Sequence, residues 1–451
     1  MKWTAALIVP AIVATILVWR ATAGTRDRLA AAPAAAGIAL GLASVIWSAL
    51  FFSGIQSRTV LVGLDLLVWT ILLAGGFALT RARRSDGEPV FAVAGAGPLV
   101  TAAAVTLLIA TAATAAVSFV SASAVYPHGE WDAWAQWNLR ARFFARGLAD
   151  GAWRDAFAPV LAWSHPDYPP LVPSSIARLW IYAGRQTVLA PIAFAGGIAL
   201  CTVFTAGLAV ARTQGAARGC LTAAAILACP SFVRYTASQC ADIALAFFML
   251  AAFVAWSFSS RRRGWLAGAG LSAALAAWTK NEGVAFFVVF TVAVAIERIR
   301  AGGWRGLADL GPLFAGAAPV LVVVLVFKST MAPASYFVAD RSLGEAVAGL
   351  FNAARAELVA RAMARELWLT GASLVGVIPF LCAFAAVRGV NAAAPGAARA
   401  AAPAMAVMIA IYAMAYLATP YDVAWQLKTS LDRVVVHIVP TLAWSMMVIS
   451  R

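Results

Sequence analysis

The sequence predicts an all-α fold, a polytopic bundle of transmembrane helices, and three observations carry that expectation. Of the 451 residues 63% are hydrophobic and only 12% charged, with a mean hydropathy of +0.85, whereas a soluble domain carries about 25% charged residues. Long apolar runs recur between short clusters of Arg, Gly and Pro, each run long enough to cross about 30 Å of hydrocarbon as a helix. The alternating strands of about ten residues that a membrane barrel requires are absent from the pattern. In lipid a helix satisfies its own backbone, so helices are the expected element.

Taken in order, spans are expected near 4–22, 31–53, 59–80, 91–122, 188–211, 217–233, 236–259, 264–279, 283–299, 307–329, 367–387, 402–419 and 434–450, about thirteen in all. The Ala-rich stretches 30–37 and 391–402 read as joints. The first run lacks both a Lys/Arg-rich start and a clear cleavage site, so it reads as a retained helix. Pro170 to Gly184 is apolar but short and carries Arg178 in its middle, so it reads as a helix at or dipping into the outer interface. The chain then divides into N-terminal helices 1–122, a large outer loop 123–187 with juxtamembrane helices, and a bundle 188–451 with outer loops 330–366 and 420–433.

Orientation follows from basic clusters in short loops. Arg20 with Arg26 and Arg28, Arg81 with Arg83 and Arg84, Arg212 with Arg218, Arg261 to Arg263, and Arg298 with Arg300 and Arg305 all fall on one face if there are thirteen spans. That face is expected to be cytoplasmic, with the N-terminus outside and Arg451 inside. Asp132, Asp155, Asp167, Asp340, Glu345 and Asp422 then gather on the outer side, with Asp242 and Glu282 at the outer ends of spans. The net charge of +15 sits at helix ends, where it serves topology and anionic lipid, so no nucleic-acid partner is expected. Five Cys (201, 220, 229, 240 and 382) show no metal or disulfide spacing and read as small core residues.

Five constellations could carry chemistry. In Gly129-Glu130-Trp131-Asp132-Ala133-Trp134-Ala135-Gln136-Trp137-Asn138-Leu139-Arg140, a helix would align Asp132, Gln136 and Arg140 on one polar stripe. Trp134 and Trp137 would face lipid. Carboxylates at that depth suit a general base or a metal ligand; the plainer reading is an aromatic belt with solvated charges. In Ser164-His165-Pro166-Asp167-Tyr168-Pro169-Pro170-Leu171, the prolines enforce an extended path on which His165 and Asp167 project alike; the plainer reading is a proline turn. Asp242, entering an apolar helix, is either a carboxylate facing a polar cavity or a helix cap. Thr279-Lys280-Asn281-Glu282-Gly283 is a sharp polar break whose Lys280 can hold phosphate, or a turn with an internal ion pair. Trp425 to Arg433 brings Lys428 and Arg433 to the outer face, for phosphate recognition or as snorkelling charges. No Walker loop or Gly-rich turn after a strand is present.

In order and sidedness these motifs resemble the GT-C class of membrane glycosyltransferases, which includes protein O-mannosyltransferases, the lipid A aminoarabinose transferase and lipopolysaccharide-core transferases. The resemblance rests on Glu130-x-Asp132 opening the first large outer loop and His165-Pro166-Asp167-Tyr168-Pro169-Pro170-Leu171 closing it. Asp242, Thr279-Lys280-x-x-Gly283 and the basic pair Lys428 and Arg433 follow. The match departs from the family pattern in its three additional leading spans and in the Asp167-Tyr168 interruption of His-Pro-Pro-Leu.

The resemblance implies a bacterial inner-membrane enzyme with a periplasmic active site, working in cell-envelope glycan or glycolipid modification. It would move a sugar from a polyprenyl-phosphate donor to a hydroxyl of a glycolipid, glycan or protein, with inversion. Asp132, then Glu130, would be the base, with Asp242 in the catalytic group. Arg433, Lys280 and Lys428 would hold the lipid phosphate, and His165, Asp167, Glu282, Gln136 and Arg140 would line the substrate. A divalent metal on Asp132, His165 or Asp167 is a further expectation of the site. The competing classes are a transporter or flippase of a lipid-linked or anionic substrate, whose signature would be related halves with midplane charges, and a structural membrane subunit.

Overall fold

The computed structural model describes residues 2–22, 27–79, 96–259, 264–334 and 343–451. Arg26, Arg81, Arg83, Arg84, Arg261, Arg262, Arg263 and Asp340, on which part of the expected orientation rests, lie outside the described residues. Within them the chain is helical throughout, with an isolated antiparallel bridge between Val390 and Ser450.

The helices are α1 (Lys2–Ala21), α2 (Asp27–Phe52), α3 (Arg58–Leu79), α4 (Pro98–Val125), α5 (Asn138–Arg146), α6 (Leu171–Ala183), α7 (Leu189–Gln214), α8 (Ala216–Leu227), α9 (Pro230–Ala237) and α10 (Ala241–Phe258). They continue as α11 (Gly264–Thr279), α12 (Asn281–Gly302), α13 (Gly311–Thr330), α14 (Leu343–Leu350), α15 (Ala353–Leu369), α16 (Val377–Arg388), α17 (Gly396–Ala418), α18 (Val423–Val436) and α19 (Val439–Ile449). Among the described residues eight helical stretches are long and apolar enough to cross a membrane, or ten if two bent pairs each form one span. The chain is a multi-pass membrane protein.

Proline sets both bends. The run expected as one span near 217–233 is α8 and α9, which meet at 62° just ahead of Pro230. The last run expected, 434–450, takes in only the end of α18 and all of α19, which meet at 41° beside Pro440; most of the outer loop expected at 420–433 is the helix α18. Proline lacks the N–H that would continue the ladder of the preceding turn, so helices break in front of it. The long apolar stretch 281–330 holds two helices, α12 and α13, both packed on α11. Trp278 at the end of α11 packs on Phe327 at the end of α13, with ring centroids 5.8 Å apart, so these two run in the same direction.

α10 forms the centre. All of its residues from Ala241 to Phe258 except Ser257 are buried, and α7, α11, α17 and α19 pack round it. Such an all-round apolar helix is stable only when neighbours cover every face.

α6 is the helix expected at 170–184, and it is packed inside the protein. It is buried from Leu171 to Tyr182, because its polar groups find partners inside the protein. Arg178 donates to Asp65 Oδ2 of α3 from Nε (3.0 Å) and Nη2 (2.7 Å), and to the Ala6 carbonyl from Nη1 (2.6 Å). Tyr182 donates its hydroxyl to the same carboxylate oxygen at 2.6 Å. Ser44 and Ser48 of α2 bond the Leu171 carbonyl and Ser174. The three leading helices are thus stitched to the segment that follows the first large loop. A charge within apolar surroundings is sustained only by pairing of this kind.

Candidate active site

At one end of the bundle, residues 130–168, α9, the starts of α10 and α12, and α18 line an open cavity of about 720 Å³. Glu130, Asp132, Gln136, His165, Lys280, Lys428 and Arg433 all border it. Seven residues singled out from four separate stretches of sequence therefore share one space, with Asp242 of the fifth stretch just behind it.

Local backbone chemistry delivers each of them. Gly129 adopts φ +76, and a Cβ there would fall within 2.6 Å of the Ser238 carbonyl, so only glycine lets the chain turn into Glu130 against the α9–α10 junction. A π turn, Ala133–Trp137, follows Asp132. Its wider turn breaks the i, i+4 register, so the polar stripe expected for Asp132, Gln136 and Arg140 does not persist. Asp132 and Gln136 border the cavity, but Arg140 is fully buried beneath it, donating to the Tyr168 carbonyl at 2.8 Å. Burial pulls the Arg140 guanidinium down to about 10, against the opposing pull of Asp167. Trp137, expected to face lipid, is likewise fully buried.

His165 sits at φ +50, a left-handed conformation that a non-glycine residue adopts only when its surroundings fix it. A 3₁₀ turn, Pro159–Ser164, precedes it and Pro166 follows. The conformation leaves the imidazole at the cavity edge. Burial holds its pKa below the usual imidazole value, while Asp167 and Asp132 pull it back up. Asp167 turns the other way. It is 3% exposed, its Oδ2 accepts from Asn281 Nδ2 at 2.8 Å, and its carbonyl accepts from Lys328 Nζ at 2.5 Å. Asp167 therefore fastens the loop to α12 and α13 rather than facing the cavity. Among the described residues no group of three or more His, Cys, Asp or Glu has a metal-holding arrangement.

The charged centre is a chain of alternating sign. Asp132 is ion-paired to Arg433, and Arg433 Nε lies 3.7 Å from Asp242 Oδ2. Asp242, fully buried, accepts at Oδ1 from Lys280 Nζ at 2.9 Å and pairs there with His437 Nε2 at 2.8 Å. Lys280 is also paired to Glu282 at 3.2 Å. His437 Nδ1 meets the Tyr412 hydroxyl at 3.0 Å. A second pair lies beside the first: Arg234 of α9 bonds both oxygens of Glu130, at 3.0 and 3.3 Å, and approaches Asp432 at 3.7 Å. Tyr235 donates its hydroxyl to Asp432.

Lys280 is held in place by the turn that carries it. A Cβ on Gly283 would come within 1.8 Å of the Ala276 carbonyl, so this closely packed junction of α11 and α12 requires glycine. Of the cations bordering the cavity, Lys428 is exposed and has no acidic partner among the described residues, whereas Arg234, Lys280 and Arg433 each have at least two.

Some participants were not singled out in the sequence. His437 falls in the last apolar run, and a histidine within such a run is the one signal that could have marked it. Arg234 and Asp432 lie on short amphipathic stretches whose importance depends on the bends at Pro230 and Pro440. Asp65 sits alone in a span, and its partner Arg178 is 113 residues away.

The arrangement places a carboxylate, Asp132, and the cations Lys280, Lys428 and Arg433 on one cavity, with Asp242 joining Lys280, Arg433 and His437 behind it. Compared with known proteins, the chain matches no family model, no curated protein and no solved structure.

Proposed function

We propose that the protein is a GT-C-like membrane glycosyltransferase that transfers a sugar from a polyprenyl-phosphate donor to an acceptor hydroxyl. The cavity would face the periplasm of a bacterial inner membrane, with about thirteen membrane passes. One observation carries the reading: the Asp132–Arg433 pair, backed by Asp242 and Lys280, borders the same cavity as Lys428. A base and an anion-holding group side by side are what displacement of a phosphate from a sugar requires.

In the step proposed, the acceptor hydroxyl oxygen bonds to the anomeric carbon and its proton passes to the Asp132 carboxylate. The bond from the anomeric carbon to the phosphate oxygen breaks, and its electron pair stays on the departing polyprenyl phosphate. Lys428, Arg433 and Lys280 stabilise that charge, the last two as fixed, buried cations that act more strongly than they would in water. Phosphate competing for Arg433 also loosens its pairing with Asp132, which leaves the carboxylate basic when the acceptor arrives. Glu130 is the weaker candidate for base, because Arg234 holds both of its oxygens.

A cleft of about 570 Å³ between α4 and the α8–α9 bend supports a lipid-borne donor. It is lined mainly by small and apolar groups and shares Arg234 with the polar cavity, so an apolar chain lying there would have its head group at the cations.

The test is donor binding by purified protein in lipid nanodiscs, read by competition against a photoreactive polyprenyl phosphate. Lys428→Ala and Arg433→Ala are expected to weaken binding about tenfold each, as loss of a charge-assisted contact does. Binding unchanged in both variants would remove the phosphate role of these residues.

A further inference from the structure

We propose that the acceptor is a saccharide, seated on an aromatic rim at the mouth of the cavity; this rests on the transfer reading above and names its substrate class. Three chain segments bring large, exposed indole faces to the same polar space. Trp131 is 61% exposed, Trp163 53% and Trp425 58%, and all three border the cavity alongside Asp132, His165 and Lys428. An interfacial anchor would place tryptophans round the lipid perimeter. Here they converge on the groups of the candidate site.

The chemistry of the remaining lining points the same way. Gln136 is 8% exposed, borders the cavity, and its side-chain amide has no hydrogen-bond partner among the described residues. Its amide offers two donors and an acceptor of two lone pairs. Thr429 on α18 donates its hydroxyl to the Trp425 carbonyl at 3.0 Å and leaves its oxygen as an acceptor at the cavity. Opening on the cavity, the Gln136 amide suits a ligand that both donates and accepts.

A sugar ring supplies both halves of this match. Its hydroxyls donate and accept, as Gln136 does. Its ring carbons carry C–H bonds made slightly positive by neighbouring oxygens, and these fit the negative face of an indole. A peptide acceptor would instead favour an exposed strand edge or an apolar helix groove, and the cavity offers neither among the described residues.

The experiment is saturation-transfer NMR on the protein in lipid nanodiscs free of sugar detergent. The probes are methyl α-glucoside, methyl α-mannoside, methyl α-galactoside and a short Ser/Thr peptide. Saturation of the ring C–H protons of at least one glycoside is expected. It should fall about tenfold in Trp131→Leu/Trp425→Leu, the weight of two aromatic contacts, and persist in Trp304→Leu, an exposed tryptophan beyond the opposite end of α12. Trp163→Leu alone gives a smaller drop and serves as the check should the double variant fail to fold.

No saturation of any glycoside, or saturation that the rim variants leave untouched, overturns the inference. Saturation without turnover of any lipid-linked sugar upholds the saccharide site and removes the transfer reading. Turnover onto the peptide without glycoside saturation does the reverse.

Discussion

At the scale of single residues, Asp132 and His165 carry the sharpest consequences. Asp132→Asn keeps the size and hydrogen-bonding shape of the side chain but removes its basicity. Loss of a general base lowers turnover by about 10²–10⁴-fold, so the variant should lose activity while its donor affinity changes little. Donor affinity and single-turnover rates on the purified protein separate the two effects, and a variant that turns over like the parent would pass the role to Glu130.

His165 gives a pH prediction whose sign follows from its burial. Its folded-state pKa lies below the ordinary imidazole value, so the unfolded chain takes up a proton that the folded chain resists. Stability is then lost as pH falls from about 7 toward 5, and the loss levels off below the folded-state pKa. His165→Gln should show a shallower fall in thermal midpoint across that window, and equal slopes for the two proteins would contradict the assignment.

Among the elements, α6 and the α11–α12 junction show how much of the architecture was legible. The apolar runs gave most helices to within a few residues, as with α7 near 188–211, because length and hydropathy act locally. The joint expected at 30–37 instead lies inside α2, and the span expected at 367–387 is the short helix α16, which begins at Val377. The burial of α6 was not legible. Arg178 in a short apolar segment reads as an interfacial residue until its partner is known, and nothing local links it to Asp65. The register of 132–140 was equally hidden, since a π turn leaves no compositional trace. The motifs were legible as polar breaks in apolar sequence, yet their convergence depends on the Pro230 and Pro440 bends that bring α9 and α18 over the cavity.

Two measurements follow at this scale. Arg178→Leu leaves Asp65 buried and unpaired, which typically costs about 3–5 kcal/mol, so its thermal midpoint should drop well below that of Arg178→Leu/Asp65→Leu. A double variant no more stable than the single one would deny the pairing its structural role. Gly283→Ala drives a methyl group into the Ala276 carbonyl. Overpacking of this kind typically costs about 1–3 kcal/mol, and through the shifted turn it should weaken donor binding as well.

For the whole molecule, the arrangement is asymmetric. α12, about 33 Å long by its 22 residues, carries Lys280 just before its cavity end and Arg300 at the other. α18 and α19 run from Lys428 and Arg433 to the far end, where Arg218 bonds the Ser450 carbonyl at 2.9 Å. The candidate chemistry therefore lies at one end, and a basic cluster lies at the other. That distribution fits a reaction at one membrane surface with the bundle as anchor. It fits less well with passage through the protein, which calls for polar groups along a path; the buried pair of Arg178 and Asp65 is closed on itself by Tyr182 and the Ala6 carbonyl. The most direct test is a single-turnover experiment in nanodiscs with a radiolabelled polyprenyl-phosphate sugar and a glycoside acceptor, comparing the parent with Asp132→Asn and Arg433→Ala. The parent is expected to release polyprenyl phosphate and labelled glycoside in equal amounts, with Asp132→Asn binding donor but not reacting and Arg433→Ala impaired in both. Donor bound by the parent but carried intact to the opposite leaflet, with no glycoside product, would contradict the account.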